Sequence, residues 1–335
     1  MKKNINQEIK EKFIGCIVGS AIGDALGAPY EGWDGNKIPL QVGMPAKYGK
    51  IWNYPRGQYT DDTQLSLAII NAILKAGKVD GNTIAQEFIP LWKNKKIIGA
   101  GLSCTDAVNK LIQGEGDWKT VGTEKGRAGN GTAMRVAPIG LWDYDKPEQL
   151  VEDATISSII THHDERCTAG AICIAYTVAY GVAHNTVDSE TIIDLIWDAI
   201  KEIHSGFADD ISKLSKWLTL TEEDAVKQII AAGNPDIYLH ERWPGISPYV
   251  IPTVLICLYF FLKYPDSFED NLIRVIEVGG DVDSTAAIMG AIAGSFNGIS
   301  SIPQQLIKGL KDNQHIYKLA EEFYLKKLKS QSILY

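Results

Sequence analysis

The chain has 335 residues, 45% of them hydrophobic and 22% charged, which is ample material for a packed core and carries none of the bias of disordered segments. A formal net charge of −8 supplies no basic field to draw in nucleic acid or anionic lipid. The longest apolar run, Tyr249 to Leu262 with Pro252 inside it, falls short of the ~18 residues of a membrane span and reads as core.

The N-terminal Met-Lys-Lys followed by an apolar stretch from Phe13 resembles a leader, but Glu8, Glu11 and Asp24 interrupt it, and it is read as part of the fold. Within that stretch Gly15, Gly19, Gly23 and Gly27 recur every fourth residue. A helix there carries a stripe without side chains, along which another backbone can approach closely. After the loop Tyr54-Pro-Arg-Gly-Gln-Tyr comes Thr60-Asp61-Asp62-Thr63, opening an apolar-periodic helix over 62–75, and a second helix is expected over 82–93. Next is the glycine-rich segment Lys125-Gly126-Arg-Ala-Gly129-Asn130-Gly131-Thr-Ala-Met-Arg135. Its glycines would let a backbone offer N–H donors to a phosphate, with Lys125 or Arg127 supplying charge. It has neither a GK[ST] ending nor a βαβ setting, so it is not a nucleotide loop of the familiar kinds.

Helical periodicity continues over 147–160, 165–182 and 189–203, with Thr161-His162-His163-Asp164 between the first two. The histidine pair lacks metal-ligand spacing and reads better as a ligand contact than as a metal site. Periodic segments over 271–278 and 283–296 flank Gly279-Gly280-Asp281-Val282-Asp283-Ser284-Thr285, and Gly290, Gly294 and Gly298 form a second ladder. A solvated packing helix follows Ile302, with periodicity over 315–328. Strand-like alternation is scarce, and no linker divides the chain. The expectation is therefore an all-α, single compact multi-helix domain over 1–335, with a motif-bearing core at about 12–300 and C-terminal packing helices at about 303–330. Cys16, Cys104, Cys167, Cys173 and Cys257, without CxxC spacing, suggest buried free thiols and a cytoplasmic location.

The paired aspartates carry the chemistry. Asp, Ser and Thr commonly cap helix N-termini, but one carboxylate per helix serves for that. Two at each of two helices would repel each other if the helices converge, and a divalent cation resolves the repulsion. All-oxygen ligands favour Mg²⁺ or Mn²⁺ over Zn²⁺. On the residues alone, a two-metal nucleotide phosphohydrolase and a noncatalytic binding protein also stand open.

Four segments in this order, Gly15 through Asp24 to Tyr30-Glu31, Tyr59 to Thr63, Gly129 to Arg135, and Gly279 to Ser284, resemble the ADP-ribosylglycohydrolase family over about residues 12 to 300. The resemblance implies an all-α fold with a dinuclear Mg²⁺ (or Mn²⁺) centre. It also implies hydrolysis of the bond between the anomeric carbon of ADP-ribose and an acceptor, so that the partners are ADP-ribose or an ADP-ribosylated protein, with no nucleic acid and no membrane. By motif matching, the metal ligands are Thr60, Asp61, Asp62, Asp281, Asp283 and Ser284. Glu31, Asp61, Asp62 and Asp283 are the catalytic set, with Glu31 near the metals as ligand or acid/base. Lys125, Gly126, Gly129, Asn130, Gly131 and His162 bind the ADP-ribose. Arg127 stands where members acting on arginine-linked ADP-ribose tend to be acidic, and Lys125-Gly126 is similar to the loop of members acting on serine-linked or O-acyl ADP-ribose.

Overall fold

The two glycine ladders decide the central contact. The computed structural model describes residues 2–38, 48–51, 53–233 and 243–332. After α1 (Lys2–Gly27) come the short strand β1 (Trp33–Asp34), then α2 (Asp61–Ala76), α3 (Gly81–Lys93) and α4 (Leu102–Gln113). The middle of the chain forms α5 (Ala137–Trp142), α6 (Pro147–Ile159), α7 (Glu165–Ala183), α8 (Ser189–Ile200), α9 (Ser205–Ser212), α10 (Leu214–Trp217) and α11 (Glu222–Ile230). The remainder is α12 (Val250–Lys263), α13 (Phe268–Val278), β2 (Gly279–Gly280), α14 (Val282–Asn297), α15 (Gln304–Gly309) and α16 (Asn313–Ser332). The fold is all-α, and elements from both chain ends pack into one domain.

Helices α1 and α14 run antiparallel with their ladders interlocked. A Cβ placed on Gly15 would lie 2.5 Å from the Gly294 carbonyl oxygen, one on Gly19 2.4 Å from that of Gly290, and one on Gly23 only 1.9 Å from that of Ala286. Gly27 stands in the same relation to Val282, at 2.4 Å. Backbones this close exclude a side chain at these four positions of α1. The crossing therefore brings Asp24, near the end of α1, alongside Asp283, near the start of α14. Close packing and assembly of the carboxylates are two results of one contact.

Each helix expected from periodicity is present, with ends shifted by a few residues. Periodicity missed α4 and the short helices α9 to α11. It could not assign the unbroken apolar run of α12, which is buried from Val250 to Leu262. An all-apolar segment has no polar face to mark its period, and Pro252 falls in the first turn, where its missing N–H costs nothing.

The last helix packs as expected but is less solvated than expected. Phe323 and Tyr324 pack on Phe13 of α1, and the Tyr324 hydroxyl donates to the Asn6 carbonyl at 2.8 Å. Lys327, in the run Lys326-Lys327-Leu328-Lys329, is buried and paired with Asp145. One lysine of that run thus faces the core side of the helix, its stem covered and its charge met.

The segments Ile5–Tyr30 and Glu165–Ala183 are long and apolar enough to cross a membrane, but 89% and 83% of their apolar windows are buried within the protein. All five cysteines are buried and free.

Candidate active site

Helix α2 begins at a carboxylate that is not its own. Its N-cap residue, Thr60, makes no side-chain capping bond. Instead Asp24, reaching from α1 and 0% exposed, accepts from the amides of Thr60 (2.9 Å) and Thr63 (3.0 Å). It also accepts from the hydroxyls of Thr60 (2.9 Å) and Thr63 (2.6 Å). Asp24 thus satisfies two backbone donors at the helix start, those of Thr60 and Thr63, so that Asp61 and Asp62 are not needed to cap it. At α14 the N-cap residue Asp281 makes no capping bond either. N-capping, the ordinary explanation for aspartates at these positions, accounts for neither Asp61 and Asp62 nor Asp281. Because the Thr60 hydroxyl proton points to carboxylates, to Asp24 and at 3.2 Å to Asp62, its lone pairs stay available to a cation.

The second carboxylate arm arrives with the chain pairing around β2. Trp33 and Asp34 pair antiparallel with Gly280 and Gly279, and the Gly32 amide donates to the Gly280 carbonyl at 2.8 Å. Glu31 is thereby set beside Asp281. Gly279 and Gly280 have positive φ, +77° and +88°, and a Cβ on Gly280 would lie 2.0 Å from the Ile246 carbonyl oxygen. Only glycine fits there. Carboxylate oxygens of Glu31, Asp281 and Asp283 lie within 4.8 Å of one another. Glu31 is exposed as a residue and stands at the rim, whereas Asp281 and Asp283 are buried. On the other arm, the Asp61 amide donates to the Ile98 carbonyl at 2.8 Å. Gly99, at φ +82°, passes so near that a Cβ there would stand 3.3 Å from Asp61 Oδ1.

Electrostatics mark the cluster as incomplete by itself. Burial first, then the charges of Asp283 and Asp24, pushes Glu31 up to about 7. Burial raises Asp24 to about 6 against the hydrogen bonds from Thr63 and Thr60, and raises Asp281 to about 6. Asp61, Asp62 and Asp283 are held well above the usual carboxylate range by burial and by one another's charge. Asp62 Oδ1 is buried with no hydrogen-bond partner among the described residues. An orphaned carboxylate oxygen among mutually repelling carboxylates, a set of hard oxygen donors, suits a divalent cation such as Mg²⁺ or Mn²⁺. Ser284 adds a hydroxyl at the start of α14, oriented toward Met134 Sδ at 4.0 Å, and its amide holds Asp283 Oδ1 at 3.0 Å.

The glycine-rich segment meets this cluster through one side chain. Asn130 Nδ2 donates to Asp281 Oδ2 at 2.6 Å and to the Thr253 hydroxyl at 3.1 Å, so it orients a carboxylate of the cluster. Two backbone donors of the segment are engaged internally, which narrows the expectation that the loop offers its N–H groups to phosphate. Gly126 N donates to Asp164 Oδ2 at 2.7 Å, and Asn130 N donates to the Pro248 carbonyl at 2.9 Å. Lys125 is exposed and pairs with Glu165, and Arg127 pairs with Asp106. The structure therefore sets these two charges on the surface, apart from the carboxylate cluster.

Asp164 is a residue that the sequence did not single out for this role. It caps α7 and gathers Gly126 N, Arg166 N and the Arg166 guanidinium. Against the cost of burial, those donors hold it at about 2. Its signal in the sequence was only its place as a helix cap. His162 is 2% exposed and lies against Gly129 and Gly131. Arg135 and Asp24, present in the motifs but given no role there, are the other residues that position the site.

With this geometry in view, the comparisons are specific. A family model described as ADP-ribosylglycohydrolase matches residues 5–332. The chain is 26% identical over 297 residues to the ADP-ribosyl-[dinitrogen reductase] glycohydrolase of Rhodospirillum rubrum, covering 88% of each chain. It is 25% identical over 353 residues to the ADP-ribosylhydrolase ARH3 of Gallus gallus, covering 95% of this chain and 94% of that one. Among solved structures, an ADP-ribosylglycohydrolase-related protein complex superposes with a TM-score of 0.73 at 21% identity over 96% of this chain and 99% of the other, a likeness of fold.

Proposed function

The chain belongs to the ADP-ribosylglycohydrolase family, hydrolases that act on ADP-ribose linkages, and on that premise we propose that it is a divalent-metal-dependent enzyme reversing ADP-ribosylation. The bond cleaved joins the anomeric carbon of ADP-ribose to an acceptor, an arginine or serine side chain or an O-acyl group. The observation that carries this reading is the gathering of Glu31, Asp281 and Asp283 beside Asp61 and Asp62, which feel their charges.

Thr60, Asp61, Asp62, Asp281, Asp283 and Ser284 would hold two Mg²⁺ or Mn²⁺ ions. Bound there, such ions supply charge that orients ribose hydroxyls and lowers the pKa of a water. The protein's own groups account for the rest. Asp24 fixes Thr60, and Asn130 fixes Asp281, so the donors are set before substrate arrives. Cleavage at an anomeric carbon passes through an oxocarbenium-like state, which carboxylates beside the ring stabilise. Glu31 sits at the rim with a proton affinity near neutrality, suited to taking a proton from water or giving one to the leaving acceptor.

The test is release of free ADP-ribose from arginine-, serine- and O-acetyl-linked substrates compared side by side. Chelation should abolish release with all of them, and so should Asp61→Ala or Asp283→Ala, while Glu31→Gln should lower turnover and flatten its pH profile. Activity that survives both chelation and Asp283→Ala overturns the proposal. Phosphate release instead of ADP-ribose release would identify a phosphohydrolase, and binding without any turnover a noncatalytic protein.

A further inference from the structure

Arg135 is a fully buried cation with no carboxylate in ion-pair contact among the described residues. Its Nη donors go to the Gly131 carbonyl (Nη1, 2.7 Å), the Ser157 carbonyl (Nη2, 2.9 Å) and the Thr161 hydroxyl (Nη2, 2.7 Å), with Nη1 also 3.6 Å from Cys104 Sγ, while Nε is buried without a hydrogen-bond partner among the described residues. That third bond has a consequence one residue further on. A guanidinium can only donate, so Thr161 Oγ1 accepts from Arg135 and keeps its own proton to give. His162 Nδ1 lies 2.8 Å from the same oxygen. Cys104, the other group near the hydroxyl, is a buried neutral thiol and the weaker acceptor. An Nδ1 that accepts carries no proton, and a neutral imidazole then has its proton on Nε2.

Nε2 has no hydrogen-bond partner among the described residues, and what faces it is the glycine pair of the loop. A Cβ on Gly129 would stand 3.6 Å from Nε2, and one on Gly131 3.7 Å. At Gly129 the backbone, φ −73° and ψ 158°, is open to any residue. The contacts a Cβ would make there are ordinary ones, to Nε2 and at 3.9 Å to the Pro248 carbonyl oxygen. Neither backbone strain nor crowding calls for glycine at this position. An unobstructed approach to Nε2 does.

We propose that Arg135 and Thr161 are positioning residues that lock His162 as the Nε2–H tautomer, so that a neutral imidazole presents one donor, between Gly129 and Gly131, to an oxygen of the ADP-ribose moiety. This rests on the ADP-ribosyl hydrolase reading above. The ring stays neutral because burial and the Arg135 charge hold it down to about 3, with Asp164 acting the other way and His163 adding to the depression. A neutral donor adds no charge to a pocket already crowded with carboxylates, and its direction is fixed by the lock rather than by the ligand.

The experiment uses the full chain with ¹⁵N-labelled histidine, the His162 ring signals being assigned with His162→Gln. At neutral pH the His162 nitrogens should show a protonated Nε2 and an unprotonated Nδ1. Thr161→Ser, which keeps the hydroxyl, should retain that pattern, whereas Thr161→Val should lose it and populate the other tautomer. In parallel, Gly129→Ala should weaken ADP-ribose binding by about tenfold, roughly the worth of one hydrogen bond, with Tm unchanged. An Nδ1-protonated ring in the unaltered protein, or a pattern indifferent to Thr161→Val, overturns the lock, and full affinity in Gly129→Ala overturns the presentation of Nε2. Failure of the unaltered protein to bind ADP-ribose with Mg²⁺ sinks the functional reading instead, while the ring signals still report on the tautomer.

Discussion

The carboxylate cluster and the Arg135 pocket are neighbours with opposite charge, and both bury ionisable groups that lack a counter-charge in direct contact among the described residues. They differ in what surrounds them. Arg135 is met by backbone carbonyls and a hydroxyl, fixed dipoles that cannot repel one another. The carboxylates mostly face each other, and each raises its neighbours' proton affinity. A buried charge solvated mainly by backbone dipoles is a structural element that calls for no second ion, although Arg135 Nε is itself without a hydrogen-bond partner among the described residues. A buried set of like charges is complete only with something else bound.

The largest effect is expected where the helix crossing itself is broken. Gly23→Ala drives a Cβ into the Ala286 carbonyl, where backbone cannot yield cheaply, and should cost about 3 kcal/mol or more. It should also reduce Mg²⁺ affinity without altering any carboxylate, because Asp24 moves away from α14. Calorimetric unfolding and Mg²⁺ titration check it, and an unchanged Mg²⁺ affinity would separate the crossing from the site.

Removing one charge from each region comes next, and the signs should be opposite. Arg135→Met leaves the Gly131 and Ser157 carbonyls without their donor at about 1–3 kcal/mol each, a clear loss of Tm with or without Mg²⁺. Asp62→Asn relieves repulsion in the chelated protein and should raise its Tm by about 2 °C, while weakening Mg²⁺ binding. Thermal melts in EDTA decide between the two signs. A fall in Tm for both variants would break the comparison.

A smaller effect concerns pH. Without metal, burial pushes Asp24 and Asp281 up to about 6 and Glu31 up to about 7, above the value of about 4 of such groups in an unfolded chain. The folded chain holds these protons more tightly. That stabilisation is full below about pH 4 and is lost as the pH rises through 6 and 7. If the cluster holds Mg²⁺ as proposed, saturating Mg²⁺ should bind the ionised form and abolish this part of the loss. Asp143, raised to about 8 by burial and its hydrogen-bonded neighbour Asp153, has the same sign with and without metal, so the difference between EDTA and Mg²⁺ melts isolates the cluster. Identical slopes in the two conditions would refute the assignment.

The smallest effect sharpens the contrast from outside both regions. Lys125 pairs with Glu165 on the surface, where ion pairs contribute little. Lys125→Ala should leave Tm unchanged, and any loss of ADP-ribose affinity in that variant would then report a contact with ligand alone.

Much of this molecule was legible before folding was considered. Apolar residues recurring at helical spacing locate α2, α3, α6, α7, α8, α13 and α14, because an amphipathic helix writes its buried face into the sequence. The glycine ladders of α1 and α14 are visible as a fourfold recurrence for the same reason. The aspartate pairs stand out as residue types too costly to bury without purpose. Where burial is complete, as in α12, the pattern vanishes, since a helix enclosed on every side has no polar face to show its period.

Tertiary structure decided what these residues do. Sequence could place Asp61 and Asp62 at a helix start, but only the reach of Asp24 from α1 shows that capping is already done and that those carboxylates are free. It could mark the loop from Lys125 to Gly131 as able to bind phosphate, but only the fold shows Gly126 and Asn130 amides bonded internally and Lys125 facing solvent. It named His162, yet the guanidinium that sets its proton lies 27 residues earlier in the chain. Local propensity and periodicity act over a few residues and so survive in the sequence. Hydrogen-bond partners and like-charge repulsion depend on distances of a few ångströms between segments far apart along the chain, and those distances exist only once the chain has folded.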